Sequence, residues 1–353
     1  LTHPEAHLNL GLALLLTGDF QRGFSEYEWR LLIKEKQVPQ HNFHQPLWDG
    51  KDLDGKTILL CPEQGLGDAI QFIRYADLVK QKGGRVIVWC LPHLQRLFAG
   101  VAGIEQLIIN PEDAPDFQVR SQLMSLPHIL GTTLETIPAN VPYLHSTGRA
   151  GTGAPPLQSD VKFTIKETPN LKVGIVWSGN PKHSLNQVRS FPLILLSKLL
   201  NIPGVDFYSL QQQMTADDRT LLEQMSVTDL SSYLNDFADT AAIVAQLDLV
   251  ISVDTSVAHL AGAMGKPLWV LLGFVPDWRW LLEREDCPWY PTARLFRQEK
   301  PGDWEGVFDR LVLALQVRIN IQQQERMQIE NKSSLELAQQ QFNRGNILKS
   351  EGK

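Results

Sequence analysis

The stretch that decides the fold is Ile251-Ser-Val-Asp-Thr-Ser-Val-Ala-His259-Leu-Ala-Gly-Ala-Met-Gly265-Lys-Pro267. An apolar run over residues 247–253 ends in the polar turn Asp254-Thr255-Ser256, and a helix of small residues then leads to a second apolar run over residues 268–272. This order of strand, turn, helix and strand predicts the βαβ unit of a parallel sheet. The turn falls at the carboxyl end of its strand, where open α/β sheets bind ligands. We therefore expect the hydroxyls and N–H groups of Thr255 and Ser256 to hold a phosphate group.

Composition bounds the class of protein. The chain has 353 residues, of which 43% are hydrophobic and 20% charged, and this predicts a globular protein with two domains. The formal net charge is −6 and no cluster of lysine and arginine is present, so a nucleic acid is not expected as the main partner. The three cysteines lie far apart without metal-ligand spacing, which predicts reduced thiols. Because neither a transmembrane segment nor a signal peptide is evident, we expect a cytoplasmic location, with attachment peripheral to the membrane left open.

Helical segments are predicted at both ends of the chain. Residues 1–45 resemble one tetratricopeptide repeat, with Leu10-Gly11, Phe20 and Tyr27 near its signature positions. Residues 330–353 predict the start of a second tetratricopeptide-like segment, and ordinary flanking helices are the alternative for both. A lone repeat cannot bury its own apolar face, so we expect the chain to be part of a longer protein with repeat arrays.

Strands and helices alternate between these ends. Residues 46–150 and 161–320 each predict a series of strands and helices, and residues 146–160, rich in Gly, Ser, Thr and Pro, predict the linker between them. Within the first series we predict one helix over residues 69–82. Two such series indicate an α/β protein with two Rossmann-like, doubly wound sheets that face a cleft.

Three blocks of sequence resemble one family of enzymes in both content and order. They are Glu63-Gln-Gly-Leu-Gly-Asp68, Val176-Trp-Ser-Gly-Asn-Pro181 with Arg189-Ser190, and Asp254-Thr-Ser-Val-Ala-His259. The core from about residue 47 to residue 315 resembles glycosyltransferase family 9, the heptosyltransferase-like family, in its variant fused to tetratricopeptide repeats. The resemblance implies the GT-B architecture, with the acceptor mostly on the N-terminal domain and a nucleotide-sugar donor mostly on the C-terminal domain.

The first block supplies the residues expected on the acceptor side. The resemblance implies that Asp68 is the general base that takes the proton of the acceptor hydroxyl. The alternative is that Asp68 only caps the helix that begins there. Gly65 and Gly67 allow the backbone to come close to a ligand, and Glu63 and Gln64 are candidates for orienting the acceptor.

The other two blocks supply the residues expected on the donor side. Arg189 stands where the family commonly has a basic residue, and we predict that it neutralises the leaving diphosphate so that no metal is required. Solvated loop charges are the alternative for Lys182 and Arg189. Gln211 is expected to bind the base or ribose. The complete predicted donor set is Ser178, Gly179, Asn180, Lys182, Arg189, Gln211, Asp254, Thr255, Ser256 and His259.

Within that set, the residues at the start of the quoted helix have alternatives of their own. Asp254 is expected to contact sugar hydroxyls, and His259 to reach the phosphate or the sugar. A helix cap and a buried core histidine are the alternative interpretations. Ser256 stands where the family usually has glycine, which adds a Cβ beside the expected phosphate.

One aromatic segment is not assigned by the family pattern. Residues 274–280 and 288–297 combine tryptophan, tyrosine and phenylalanine with arginine. They predict either a platform on which a sugar stacks, or packing of the C-terminal helix onto the core. Asp277 and Arg279 are expected to form a local ion pair.

These patterns together predict a metal-independent, inverting glycosyltransferase that moves a sugar from a nucleoside-diphosphate sugar to an acceptor hydroxyl, with no further cofactor. The alternatives are a non-catalytic scaffold that binds nucleotide sugars or glycans, and a sugar-nucleotide epimerase. The expected partners are the nucleotide-sugar donor, an unknown acceptor that is a protein or a glycan, and a protein bound through the repeats.

Overall fold

A computed structural model of the chain describes residues 3–33, 43–146, 163–181 and 186–350. In these ranges two parallel β-sheets, each covered by helices, lie side by side, and helices precede and follow them. This arrangement confirms the predicted α/β class with parallel sheets. The predicted linker lies outside the described residues apart from Ser146. Across the described ranges, no helix combines the length and the apolar character needed to span a membrane.

Two helices form a closely packed pair at the start of the described chain. They are α1 (Pro4–Leu16) and α2 (Phe20–Tyr27), and the Asp19 carboxylate accepts the Arg22 N–H to cap the second. A Cβ on Gly11 would stand 2.7 Å from the Tyr27 nitrogen, so the close crossing requires glycine there. Many helical folds contain such a pair, and the tetratricopeptide identity of residues 1–45 stays a prediction.

The first sheet has four parallel strands in the order β3-β2-β1-β4. Strand β1, one of the two central strands, is buried along its whole length, and a short turn at its carboxyl end leads into helix α3. The strands are β1 (Thr57–Cys61), β2 (Arg85–Trp89), β3 (Gln106–Ile108) and β4 (Val119–Gln122), and the helix is α3 (Leu66–Phe72).

The prediction of one helix over residues 69–82 is wrong. A 3-10 turn at Ile73–Tyr75 separates α3 from α4 (Ala76–Gln81). In this turn Arg74 Nε donates to the Gln71 carbonyl oxygen at 2.8 Å, and this bond competes with the regular backbone bond of a continuous helix. Two further short helices of this domain are α5 (Gln95–Phe98) and α6 (Leu126–Ile129).

The second sheet has six parallel strands in the order β10-β9-β8-β5-β6-β7. The chain moves outward from β5 to β7 and then returns to β8, so the switch point of the topology lies between β5 and β8. Ligands bind at such switch points in doubly wound sheets. The strands are β5 (Leu171–Val176), β6 (Val205–Ser209), β7 (Val227–Asp229), β8 (Leu249–Val253), β9 (Leu268–Leu272) and β10 (Ala293–Arg297).

The helices of this domain end in one long helix. It runs without a turn through residues 320–330, where the sequence predicts the end of the domain and the start of a second tetratricopeptide-like segment. That second segment stays a prediction. The helices are α7 (Asn186–Arg189), α8 (Ser197–Leu200), α9 (Ala216–Glu223), α10 (Phe237–Ala245), α11 (Ser256–Ala263) and α12 (Trp304–Ser350).

The two domains share one apolar core that also includes the N-terminal helical pair. Phe20 stacks on Trp289 with ring centroids 5.8 Å apart, and Phe24 meets Trp278 edge-on at 5.6 Å. Both tryptophans belong to the C-terminal domain, so α2 packs against that domain as well as preceding the first one. The pair therefore joins the domains at a buried aromatic cluster.

Candidate active site

A cleft of 1480 Å³ lies where the carboxyl end of β1 faces the carboxyl ends of β5 and β8. Helices α3 and α11 both begin at this cleft, one from each domain. Most of the predicted site residues meet here although they are far apart in sequence. The predicted residues that line the cleft are Gln64, Gly65, Gly67, Asp68, Ser178, Gly179, Asn180, Arg189, Gln211, Asp254, Thr255, Ser256 and His259.

Asp68 uses its two carboxylate oxygens for two different contacts. Oδ2 accepts the Gly65 N–H at 2.7 Å, and Oδ1 accepts a hydrogen bond from Arg279 Nη2. Burial raises the pKa of Asp68 above its ordinary value, and the charge of Arg279 opposes that rise. The capping contact that the sequence left as an alternative is therefore present. It is compatible with a general base, because a carboxylate of raised pKa is a better proton acceptor.

Glu63 is in a buried ion pair and does not line the cleft. Its Oε1 accepts from Arg30 Nη2 at 2.6 Å and its Oε2 from Arg30 Nε at 3.2 Å. Arg30 follows α2 and also donates to Ser125 Oγ at 2.9 Å. Both carboxylate oxygens are engaged inside the protein, so we correct the prediction that Glu63 orients the acceptor. Its contacts attach the turn after β1 to the helical pair.

One non-glycine residue in the turn after β1 and one in the segment that carries Arg279 adopt backbone conformations that favour glycine. Gln64 has a φ of +56° and Leu281 has a φ of +55°. Such conformations cost about 1–3 kcal/mol each and are found where the surrounding structure holds a functional site in place. Gln64 Nε2 donates to the Tyr27 hydroxyl at 2.8 Å, and the residue is exposed to the cleft. Its contact with the acceptor stays a prediction.

Gly67 lies close to helix α11 of the C-terminal domain. A Cβ at this position would stand 2.8 Å from His259 Cδ2 and 3.5 Å from Ser256 Cα, both in α11. Helix α11 therefore occupies the space beside the Gly67 Cα, and the expected approach of a ligand to this backbone stays a prediction. By contrast, a Cβ on Gly65 would meet only the Asp68 carboxylate, at 3.2 Å.

The loop after β5 brings Arg189 to the cleft. Its guanidinium lies against Gly179, where a Cβ would stand 2.2 Å from Nη2. Ser190 Oγ donates to Ser178 Oγ at 3.2 Å and ties the two ends of the loop together. Glycine at position 179 is thus required for the arginine to lie there. Lys182 lies outside the described residues.

Gln211 is buried, and its amide group is engaged by the loops around it. Oε1 accepts the N–H groups of Trp177 at 3.3 Å and Ser178 at 3.1 Å, and Nε2 donates to the Gln213 carbonyl oxygen at 2.8 Å. These bonds join the ends of β5 and β6. Gln211 therefore holds the loops after β5 and β6 together, and its contact with the base or ribose stays a prediction.

Helix α11 begins at the cleft without a side-chain cap. The Thr255 hydroxyl pairs with Ser252 Oγ at 3.0 Å and makes no hydrogen bond to the helix backbone. An uncapped helix start with free N–H groups favours an anion such as phosphate. Burial and then the nearby Asp277 raise the pKa of Asp254 to about 6, while Arg279 and Arg189 lower it. Asp254 therefore changes charge close to neutral pH.

His259 is a buried imidazole held between three side chains. Its Nδ1 lies 2.9 Å from the Tyr290 hydroxyl, its Nε2 lies 3.8 Å from Asp254 Oδ1, and its ring stacks on Trp280 at 5.4 Å. Burial, together with three nearby arginines, lowers the pKa of His259 well below its ordinary value. The lowered pKa leaves the ring neutral at physiological pH, and its contact with Asp254 is longer than a hydrogen bond. Its predicted contact with phosphate or sugar stays a prediction.

Arg279 lines the cleft, although the sequence predicted for it only a local ion pair. It donates from Nε to Gln71 Oε1 at 2.6 Å, from Nη1 to Asp277 Oδ1 at 2.8 Å, and from Nη2 to Asp68. The expected local pair with Asp277 exists, but the same guanidinium also reaches the other domain. A possible signal was the run Asp277-Trp-Arg-Trp280, since an arginine between two tryptophans indicates a buried charge with dedicated partners.

The aromatic segment around Arg279 lies inside the protein. Trp278, Trp280, Trp289 and Tyr290 are all buried. They pack on one another and on aromatic side chains of α2 and α3, such as Phe72. The tryptophans of this segment thus form a joint between the domains, which neither prediction anticipated. The predicted packing of the C-terminal helix is present at the end of the segment, where Phe296 shares a buried cluster with Trp304 and Phe308 of α12. The sugar platform stays a prediction.

The cleft thus brings together a half-buried carboxylate, a cation and an uncapped helix start. Asp68 lines the cleft from the N-terminal domain, and Arg189 and the start of α11 line it from the C-terminal domain, where they can neutralise an anion. Within the four described ranges, no three His, Cys, Asp or Glu side chains are grouped as ligands for a metal ion. This arrangement suits transfer of a group from a diphosphate to a hydroxyl.

Known proteins resemble both the sequence and the fold. Residues 214–301 match the family described as Glycosyltransferase family 9 (heptosyltransferase). Protein FlbA of Caulobacter vibrioides is 29% identical over 330 residues, which cover 86% of this chain and 53% of that protein. The chain therefore spans about half the length of this curated relative.

Solved structures have a similar architecture. The crystal structure of the glycosyl transferase family 9 from Veillonella parvula has a TM-score of 0.52 and 12% identity, covering 77% of this chain and 99% of that one. The structure of E. coli ADP-heptose lps heptosyltransferase II has a TM-score of 0.49 and 13% identity, covering 76% and 99%. The first comparison shows a shared fold. With the family match over residues 214–301, which includes Asp254 to His259, it supports a glycosyltransferase.

Proposed function

We propose that the chain transfers a sugar from a nucleoside-diphosphate sugar to an acceptor hydroxyl, with inversion at the anomeric carbon and without a divalent metal. The observation that carries the proposal is the cleft itself. It opposes Asp68, from the N-terminal domain, to Arg189 and the uncapped start of α11, from the C-terminal domain. Proton acceptor and diphosphate site thus face the same space.

The proposed chemistry is a single displacement. Asp68 takes the proton of the acceptor hydroxyl as its oxygen forms a bond to the anomeric carbon. The bond between that carbon and the diphosphate oxygen breaks, and the nucleoside diphosphate leaves with the bonding electrons. One attack from the face opposite the leaving group inverts the anomeric configuration. A burial-raised pKa suits Asp68 to this task, because it accepts a proton more readily than an exposed carboxylate does.

Stabilisation of the leaving group is assigned to the protein. The positive charge of Arg189 and the N–H groups at the start of α11 can both meet the diphosphate oxygens. Charge supplied in this way replaces the function that a divalent ion has in other transferases. This supports the proposal of a metal-independent reaction, which predicts full turnover in the presence of a chelator.

The packing of the helical pair limits the surface that it can offer to a partner. Phe20, Phe24 and Tyr27 are buried against the core, so a protein or acceptor held by the pair has to use its other surfaces.

Cys61, Cys90 and Cys287 are free and buried, which suits the reducing cytoplasm that we propose. The acceptor is either a protein or a glycan.

The first experiment is a thermal-shift panel with UDP, GDP, ADP, CMP and TDP, without added metal. A ligand that binds the native state raises the unfolding temperature once its concentration exceeds Kd. One nucleotide should give a clear shift that is lost in Arg189→Ala. The matched control is Arg219→Ala, because Arg219 pairs with Asp229 at 3.6 Å and does not line the cleft. No shift at millimolar concentration would count against the donor site.

The second experiment tests catalysis with the sugar form of that nucleotide. Asp68→Asn should bind the donor as the wild type does but lose transfer by about 10²- to 10⁴-fold. Donor binding without consumption in the wild type, across candidate acceptors, would favour the scaffold. Consumption of the donor without any acceptor would favour an epimerase.

A further inference from the structure

Arg279 crosses from one domain to the other at the cleft. It lies in the segment after β9 and contacts Gln71 and Asp68, which both belong to α3. We propose that Arg279 is a positioning residue that aims the Asp68 carboxylate from the opposite domain, so that the base is set only while the two domains are packed together. This inference rests on the proposed function, because it concerns the base of that reaction.

The guanidinium is fixed by a fork of hydrogen bonds. Its three nitrogens each donate to a different side chain: Gln71 at 2.6 Å, Asp277 at 2.8 Å, and Asp68. A planar fork of this kind sets direction as well as charge, and a lysine ammonium cannot reproduce it. The Asp68 oxygen that accepts from Arg279 is therefore held in one orientation, while its other oxygen caps α3.

The aromatic joint prevents Arg279 from turning away. Its guanidinium carbon lies 4.4 Å from the centroid of the Trp278 ring and 5.6 Å from that of Phe72. The Trp278 ring is in turn packed edge-on against Phe24 at 5.6 Å. Leu281 follows with the positive φ described above, so the segment holds Arg279 in a strained, tightly packed backbone. Movement of Arg279 thus requires the domains to separate.

The charges around Asp68 come from three elements. The segment after β9 supplies Arg279 and Asp277, the turn after β1 supplies Glu63, and α2 supplies Tyr27. Among these groups Arg279 is the one that favours the ionised carboxylate most strongly. Without it, burial and the two neighbouring acids remain, and the pKa of Asp68 is expected to rise further.

The test is a pH–rate profile of transfer for the full chain and three variants. Arg279→Gln should lower kcat by about 10²-fold, the loss expected for a misplaced catalytic group. It should also move the acidic limb of kcat/KM to higher pH by about 1 to 3 pH units. Arg279→Lys should lower kcat while leaving the limb closer to the wild type, because the charge remains. Arg284→Gln is the control, since Arg284 pairs at the surface with Asp286.

The outcomes separate this inference from the proposed function. The positioning role would be overturned if kcat falls in both Arg279 variants while the acidic limb of kcat/KM stays at its wild-type pH. It would also be overturned if Arg284→Gln changed kcat and the acidic limb as much as Arg279→Gln does. Wild-type transfer by Asp68→Asn would instead refute the base in the proposed function.

A second measurement does not depend on turnover. Thermal unfolding of Asp68→Asn, Arg279→Gln and the double variant forms a double-mutant cycle. Non-additive changes support the contact across the domains, and additive changes overturn it. If Arg279→Gln does not fold, Arg279→Lys takes its place in the cycle.

Discussion

Two strand–turn–helix units meet at the cleft, β1 with α3 and β8 with α11, and they use their helix starts differently. In the first, Asp68 bonds the Gly65 N–H, so the helix start already carries a carboxylate of the protein. In the second, Thr255 turns its hydroxyl to Ser252 and leaves the helix start uncapped. The same local structure thus holds a carboxylate of the protein in one domain and leaves its N–H groups uncapped in the other.

This difference explains how one cleft can hold both partners of a transfer reaction. A helix start attracts negative charge, whether that charge comes from a side chain or from a ligand. In α3 the protein supplies it, and in α11 we propose that the donor does. The contact between Gly67 and His259 keeps the two starts at a constant separation.

The largest effect is expected where the two units touch. In Gly67→Val the added side chain would meet His259, because even a Cβ stands 2.8 Å from its Cδ2. Overpacking of this kind costs about 1–3 kcal/mol, and displacement of Asp68 should lower transfer by about 10²-fold. Unfolding temperature and kcat measure the two effects. Gly65→Val is the comparison, because its Cβ meets only the Asp68 carboxylate; equal loss of stability in both variants would contradict the assigned contact.

A second variant makes the two helix starts alike. Thr255→Asp places a carboxylate at the cap of α11, where it should compete with the donor phosphate and weaken nucleotide binding by about 10-fold or more. The protein should remain folded, with stability unchanged or raised by about 0.3–1 kcal/mol. Thr215→Asp is the control, since Thr215 caps α9 outside the cleft. Calorimetric titration decides: unchanged affinity in Thr255→Asp would place the phosphate elsewhere.

The third prediction concerns the carboxylate beside the uncapped helix. The folded-state pKa of Asp254 is raised to about 6 from 3.8, so the folded protein binds more protons than the unfolded chain between these values. The contribution of Asp254 to the free energy of unfolding should therefore fall as the pH rises from 3.8 to about 6, and then stay level at higher pH. Asp254→Asn should be more stable than the wild type at pH 8, by up to about 3 kcal/mol, and equal to it near pH 4. Urea unfolding at both pH values measures the difference; a pH-independent difference would contradict the raised pKa.

The smallest effect is expected at a second contact between the domains. Arg96 Nη1 lies 2.9 Å from both Asp236 and Asp239 of the C-terminal domain, but it is 39% exposed. Asp236 and Asp239 are only 17% and 5% exposed, but each keeps another hydrogen bond, from the Asp239 N–H and from Asn235 Nδ2. Because the arginine itself is solvated, Arg96→Met should lower the unfolding temperature slightly, by about 1 kcal/mol in stability, and leave transfer unchanged. A loss of transfer comparable to that of Gly67→Val would show that domain position depends on the surface pair as well.

The sequence predicted secondary-structure elements and loops better than it predicted which distant residues contact each other. The bounds of β9, predicted at residues 268–272, and the turn from Asp254 to Ser256 agree with the structure, because runs of apolar residues and turn residues are local signals. Glu63, Gln211 and Gly67 also lie in the predicted loops, but the sequence did not indicate the protein groups that they contact. Their partners are distant: Arg30 is 33 residues from Glu63, and Trp177 is 34 from Gln211.

By itself, then, the sequence determined two parallel sheets, the loops at their carboxyl ends and the residues that reach one cleft. Only the tertiary structure decided which of those residues face a ligand and which face another helix. Arg279 and Asp68 are 211 positions apart, and no local pattern indicates that such groups meet. The physical reason is that backbone conformation depends on a few neighbouring residues, whereas the environment of a carboxylate or a glycine depends on whatever packs against it.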